Sequence, residues 1–133
     1  CLKNFIKMIQ KGTLLKVIDN FSVYLVKCIG IFEGYKKRYA SLSQLILVSV
    51  QKIRSKTKTG SKVKKGEIFK AVVVRLKKRK QRLSGFCLSF DFSAVALLTS
   101  QEKPLATIVK GMVAKELRST KFLRIASLAN GLL

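Results

Sequence analysis

Histidine and tryptophan are absent from the 133 residues, proline occurs once, and acidic side chains occur only six times. Each scarcity removes a class of function. Without histidine the usual base of a hydrolytic triad is missing, and a zinc site loses its common nitrogen ligand. Cys1, Cys28 and Cys87 are odd in number, widely spaced and form no Cys-x-x-Cys pair, so no metal framework is spelled out. Cys28 and Cys87 lie in strand-like runs, where a thiol is expected to act as a small core hydrophobe in a reducing compartment. Asp19, Glu33, Glu67, Asp91, Glu102 and Glu116 are scattered singly. They form no pair with general acid/base spacing, and each reads as a turn former or a salt-bridge partner. Glycine-rich phosphate loops are also missing. The expectation is a protein that is not an enzyme and needs no cofactor. No apolar run approaches the ~18 residues of a membrane-spanning helix; LILVSV, residues 45–50, has the length of a strand.

What is abundant is positive charge. Lys and Arg number 28, for a formal net charge of +22, so the compact state repels itself unless something anionic surrounds it. Nucleic acid is the first candidate, because each neutralised phosphate releases condensed counterions; an anionic membrane surface is the second. A hydrophobic fraction of 48% argues for a folded body rather than a disordered basic tail, and the length suits one domain.

Strand periodicity dominates the first hundred residues. Strands are expected at Thr13–Ile18, Tyr24–Ile31, Leu45–Ile53, Ile68–Leu76 and Phe86–Phe92. In the third, Ile46, Val48 and Val50 share a face. In the fifth, Phe86, Leu88, Phe90 and Phe92 alternate with Cys87, Ser89 and Asp91. Ala94–Leu98 continues strand-like after a break at Ser93. Short strands with turns between them and no long helical pattern indicate an all-β, small closed barrel. Near the C-terminus VAKELRS and KFLRIASLA suit two short helices, with Phe122, Ile125 and Ala126 at helical spacing.

Two segments read as basic projections. Arg54–Gly66 is a run of Lys, Thr, Ser and Gly with almost nothing to bury, as expected of a loop or extended hairpin. In RLKKRKQR, Arg75–Arg82, charge would fall on both faces of a continued strand. The chain should therefore leave the barrel near Leu76 as a ribbon, anchored by Ala71–Val74. Of the aromatics, only Tyr35 and Tyr39, flanking Lys36-Lys37-Arg38, are placed to stack on bases, and packing is an equal reading for them. A stand-alone single-strand-binding module on an OB-like barrel is the alternative to a binder of structured RNA, which would use phosphate and shape contacts. A peripheral membrane protein would need a basic amphipathic helix as its main feature.

From Met8 to Leu133 the chain resembles the universal large-subunit ribosomal protein L-fourteen family. The resemblance rests on KVIDN (16–20), LVKCI (25–29), RYAS (38–41), KVKKGEIFKAVVVR (62–75), AVALL (94–98) and KELRSTKFLRIASLA (115–129), in order and spacing. Residues 1–7 then read as an extension ahead of a single domain, 8–133. The resemblance implies a five-stranded β-barrel with a projecting basic β-ribbon and two short C-terminal helices. It also implies direct binding to large-subunit rRNA, packing beside neighbouring proteins including L-nineteen, and a face turned to small-subunit rRNA across an intersubunit bridge. By motif it implies RNA contacts at Arg38, Lys62, Lys64, Lys65, Arg75, Lys77 and Lys78, with Arg118 and Lys121 on a C-terminal contact surface.

The chain departs from the family pattern at several points. Phe21-Ser22 replaces Ser-Gly after Asp19-Asn20, Ala106-Thr107-Ile108 replaces Gly-Thr-Arg, and Met112 and Asn130 stand where Pro is common. The loss of Arg at Ile108 bears on docking of a ribosome-silencing factor of the Iojap type. Richness in Lys, Ile, Phe and Leu resembles drift toward AT-rich codons in an organelle genome, which points to a mitochondrial ribosome, with a plastid or bacterial cytoplasm as alternatives.

Overall fold

A computed structural model describes residues 8–19, 22–32, 34–54 and 63–133. Five strands close a barrel: β1 (Leu14–Val17), β2 (Val23–Ile31), β3 (Leu45–Ile53), β4 (Ile68–Arg75) and, after two short strands, β7 (Ala94–Leu98), in the order β1-β2-β3-β4-β7. Neighbours run antiparallel except β1 and β7, whose parallel pairing closes the ring. The short strands are β5 (Lys80–Gln81) and β6 (Cys87–Leu88), a two-stranded ribbon. Toward the C-terminus come β8 (Val109–Val113), a 3-10 helix (Lys115–Ser119), α1 (Leu123–Leu128) and β9 (Ala129–Leu132), with β8 and β9 paired in parallel.

Side-chain parity sorts these strands into two apolar clusters. Leu15, Val17, Val26, Cys28, Ile46, Val48, Val50, Ala71, Val73, Val95 and Leu97 fill the barrel. The opposite faces of β4 and β7 are buried too: Val72, Val74, Ala94, Ala96 and Leu98 pack under Val109, Val113, Leu117, Phe122, Ile125 and Ala126. Ala71–Val74 and Ala94–Leu98 are apolar without interruption because this part of the wall has no solvent side. The expected spacing of Phe122, Ile125 and Ala126 holds, and all three are buried.

The fifth barrel strand is a correction. It is Ala94–Leu98, not Phe86–Phe92. Alternation marks a half-covered strand, and the segment before Ser93 is only that: Leu88, Phe90 and Phe92 are partly covered while Phe86 is 74% exposed. Cys87, expected in the core, is exposed; Cys28 is buried as expected. Burial pushes the Cys28 thiol up, against weaker opposing effects of the Gly30 carbonyl and the Lys11 charge. Of the two expected projections, most of the Arg54–Gly66 tract lies outside the described residues, and the second becomes the β5–β6 ribbon.

A bulge between Val73 and Arg75 decides where the basic run begins. Strict alternation would carry Arg75 into the barrel with Ala71 and Val73. The extra residue breaks the parity, so Leu76 takes the interior place and Arg75 turns outward. Its Nε donates to the Met112 carbonyl at 2.7 Å and its Nη2 to the Lys110 carbonyl at 2.9 Å. The guanidinium also lies 5.3 Å from the Phe92 ring centroid and 5.9 Å from that of Phe90. Gly111, at φ +78°, lies against it, and a Cβ there would overlap the guanidinium. Arg75 therefore stitches β8 to the barrel wall. Arg75→Ala is expected to lower the unfolding free energy by about 2 kcal/mol, the scale of charge-assisted hydrogen bonds. Gly111→Ala should also destabilise, through strain at its positive φ and by displacing the guanidinium, and the double variant should lose less than the sum because that overlap is absent once Arg75 is gone. Urea denaturation of the three variants measures this; strict additivity would show that Gly111 does not act through the guanidinium, and an unchanged stability in Arg75→Ala would show that the stitch contributes nothing.

Candidate nucleic-acid interface

The short segment Met8–Gly12 organises the basic end of the barrel. Ile9 is fully buried and bridges to Ala40, whose N–H donates to the Ile9 carbonyl at 2.8 Å. This contact fixes the loop Gly34–Tyr39, which connects β2 to β3, beside the segment. On one side Gln10 and Lys11 line a shallow depression with Lys36, Lys37, Arg38 and Tyr39. On the other, Met8 lines a second depression with Lys16, Lys77 and Phe92. The Lys78 Nζ lies 3.3 Å from the Met8 Sδ.

Arg38 and the Lys77-Lys78 pair, far apart in sequence, thus flank one segment. Lys64 and Lys65 are exposed at the turn entering β4, where the Glu67 carboxylate accepts the Lys64 N–H at 3.1 Å. Lys62 lies outside the described residues. Arg118 is exposed on the 3-10 helix, and Lys121 lies across the C-terminal layer, 2.6 Å from the Glu102 carboxylate. Arg75, expected to reach RNA, is directed to the carbonyls of β8. Lys11, Lys16, Lys36 and Lys37 are not among the contacts that the family motifs imply. Lys16 had a readable signal: it has the parity opposite to the buried Leu15 and Val17. Lys11 owes its place to the Ile9–Ala40 bridge, a tertiary contact.

Carboxylates are distributed unevenly. Among the described residues the ion pairs are Lys70 and Lys121 with Glu102, and Lys80 and Arg82 with Glu116; Asp19 is buried and accepts the Leu97 N–H at 3.1 Å. No acidic residue lines either depression at the barrel end among the described residues. Cations near the C-terminal layer are therefore partly compensated, whereas those around Met8–Gly12 present positive potential outward. No group of three or more metal-ligating side chains occurs among the described residues, and no described helix is long and apolar enough to cross a membrane. Phe92 is already engaged by cations, with the Lys16 ammonium 4.8 Å and the Arg75 guanidinium 5.3 Å from its centroid.

Glu116 ties the β5–β6 ribbon to the C-terminal layer. It accepts from Arg82 Nε and Nη2 at 3.0 and 3.2 Å, while Arg82 also donates to the Leu133 carbonyl. Partial burial works to raise the Glu116 pKa, but the Arg82 hydrogen bonds, a backbone hydrogen bond and the charges of Lys80 and Arg82 together hold it below the usual carboxylate value. A depressed folded-state pKa stabilises above the unfolded value, near 4.3 for Glu, and that contribution is lost as pH falls through the folded value. Glu116→Gln should therefore melt below the parent at pH 7, and the gap should close in acid below pH ~4. A gap that persists at low pH would assign the carboxylate no charge-dependent role.

A family model for ribosomal protein L14p/L23e matches residues 8–133. That family comprises structural proteins of the large ribosomal subunit, not enzymes. The match spans the barrel, the basic end and the C-terminal layer alike, and the chain belongs to the ribosomal protein L14p/L23e family.

Proposed function

We propose that this large-subunit ribosomal protein binds large-subunit rRNA through the barrel end organised by Met8–Gly12, and that its C-terminal layer serves protein neighbours and the intersubunit face. The observation that carries the reading is the segregation of charge: Lys11, Lys36, Lys37, Arg38, Lys16 and Lys77 collect around one buried anchor, while Glu102 and Glu116 compensate cations elsewhere. Such an end makes distributed phosphate contacts that fix orientation on folded RNA. Lys78 extends the same contact surface, while Lys64 and Lys65, exposed at the turn entering β4 at the other end of β3, would make a separate phosphate contact; Lys62 is proposed as an RNA contact on its sequence motif alone. Arg118 and Lys121 belong to the second surface, where Ile108 and Leu123 are more than half exposed. That apolar exposure suits neighbours such as L-nineteen or a silencing factor of the Iojap type better than it suits phosphate. Small-subunit rRNA would be met across the same face. The organellar reading, with a mitochondrial ribosome first, is supported by composition.

Sedimentation of a native lysate with and without magnesium chelation tests the assignment. The chain should stay with large-subunit RNA in moderate salt after the subunits part; a chain left at the top of the gradient while that RNA sediments normally would overturn it. The surface is tested by salt dependence. Replacing Lys36, Lys37 and Arg38 with Gln should flatten the plot of log affinity against log salt by roughly two to three units, since each lost phosphate contact removes about 0.7 to 0.9. Lys121→Gln, whose ammonium is already paired with Glu102, should change the slope by much less than one. Equal effects would show that the charge segregation does not direct binding.

A further inference from the structure

The Tyr35 side chain is 92% exposed. A phenol left in water contributes no core burial, so packing gives the chain no reason to keep a large ring there. The loop that carries it is nonetheless specifically built. Gly34 has φ +148°, with a would-be Cβ 3.3 Å from Lys37 side-chain atoms. Lys36 has φ +51°, an uncommon left-handed conformation for a residue with a side chain. That turn brings the Lys36 ammonium to 5.4 Å from the Tyr35 ring centroid, a cation–π contact that orients the ring. The Ile9–Ala40 bridge holds the loop's far end.

We propose that this loop seats one unpaired base of large-subunit RNA, stacked on Tyr35, with the flanking phosphates held by Lys37, Arg38 and Lys11. The inference rests on the RNA-binding reading above and adds to it a base-contacting residue and the class of nucleotide it takes. An oriented, solvent-facing ring supplies a platform that accepts any base, because every base has a π-face. The adjacent cations supply the backbone contacts that bring a looped-out nucleotide to it, the arrangement by which single-stranded elements of folded RNA are held.

The test uses the full chain and large-subunit RNA purified from the same cells. Tyr35→Ala should weaken binding by about 5- to 150-fold, the range for loss of one stacked base, with the slope against log salt unchanged because no phosphate contact is removed. Tyr35→Phe should bind like the parent, and both variants should keep the parent's melting temperature, since the ring is not packed. Ultraviolet irradiation of intact subunits should leave a nucleotide adduct on the peptide containing Tyr35. Parental affinity in Tyr35→Ala while the parent binds RNA would overturn this proposal alone, as would a Tyr35→Phe variant as weak as Tyr35→Ala. A parent chain that fails to bind the RNA, or that prefers anionic vesicles to it in flotation, would overturn the RNA-binding reading and this inference with it.

Discussion

Burial of β4 and β7 on both faces is the constraint from which the rest of the architecture follows. A barrel needs an apolar interior, and Ala71, Val73, Val95 and Leu97 provide it. Val72, Val74 and Leu98 on the outer face, each fully or almost fully buried, would face water if the chain ended at the barrel. Covering a side chain of that size is worth about 1.5–3 kcal/mol. The C-terminal layer supplies the cover, and the small Ala94 and Ala96 let it approach closely. Once that layer is in place, the bulge before Arg75 acquires its purpose. It sends a guanidinium across the seam to the β8 carbonyls, where they would otherwise rely on water. Partial burial lowers the guanidinium pKa from its ordinary value, but arginine remains charged at any physiological pH.

Much of this was legible in sequence, and what was not has physical reasons. The third strand was readable to the residue because Ile46, Val48 and Val50 point inward while Leu47, Ser49 and Gln51 are half covered. The closing strand escapes a pattern reading because alternation marks half-covered segments, not barrel strands as such. AVALL, covered on both sides, does not alternate, while the run from Phe86 to Phe92 alternates as a half-covered flank. Neither β8 nor β9 carries a local signal. Lys110 and Gly111 interrupt one, Asn130 and Gly131 the other, and the pairing between them is made by tertiary contacts with Ile18, Val74 and Leu133. Arg75 was read as the first residue of a basic run, since a bulge leaves no mark in composition.

The proposed surface is legible as a set more than as individuals. Net charge names the partner class, and the motifs place Arg38 in one block and Lys77 and Lys78 in another. Their gathering around Met8–Gly12 depends on an Ile whose burial cannot be inferred from its neighbours. The same holds for the carboxylates. Six scattered acids look interchangeable, yet Glu102 and Glu116 each sit between two cations of the C-terminal side. Among the described residues, the fold thus turns a nearly uniform basic sequence into a surface partly compensated on one side and with no carboxylate lining the depressions at one barrel end.

That polarity bears on how a chain of net charge +22 folds and binds. Strand parity keeps the cations outside the barrel, but their mutual repulsion remains, and it is strongest where no carboxylate intervenes. A disordered basic tail would relieve the repulsion by extending, then lose that freedom on meeting RNA. Here the cations of the Gly34–Tyr39 loop are mounted between β2 and β3, strands of nine residues each, and clamped through Ala40 to a fully buried Ile9. The ordering cost is met during folding by hydrophobic closure, so little remains to be met on binding. On the proposed reading, fixed spacing would also make the charges selective. A fixed constellation of phosphate contacts fits one tertiary arrangement of RNA and repels arrangements that leave its cations unpaired, so shape can be recognised without a base code.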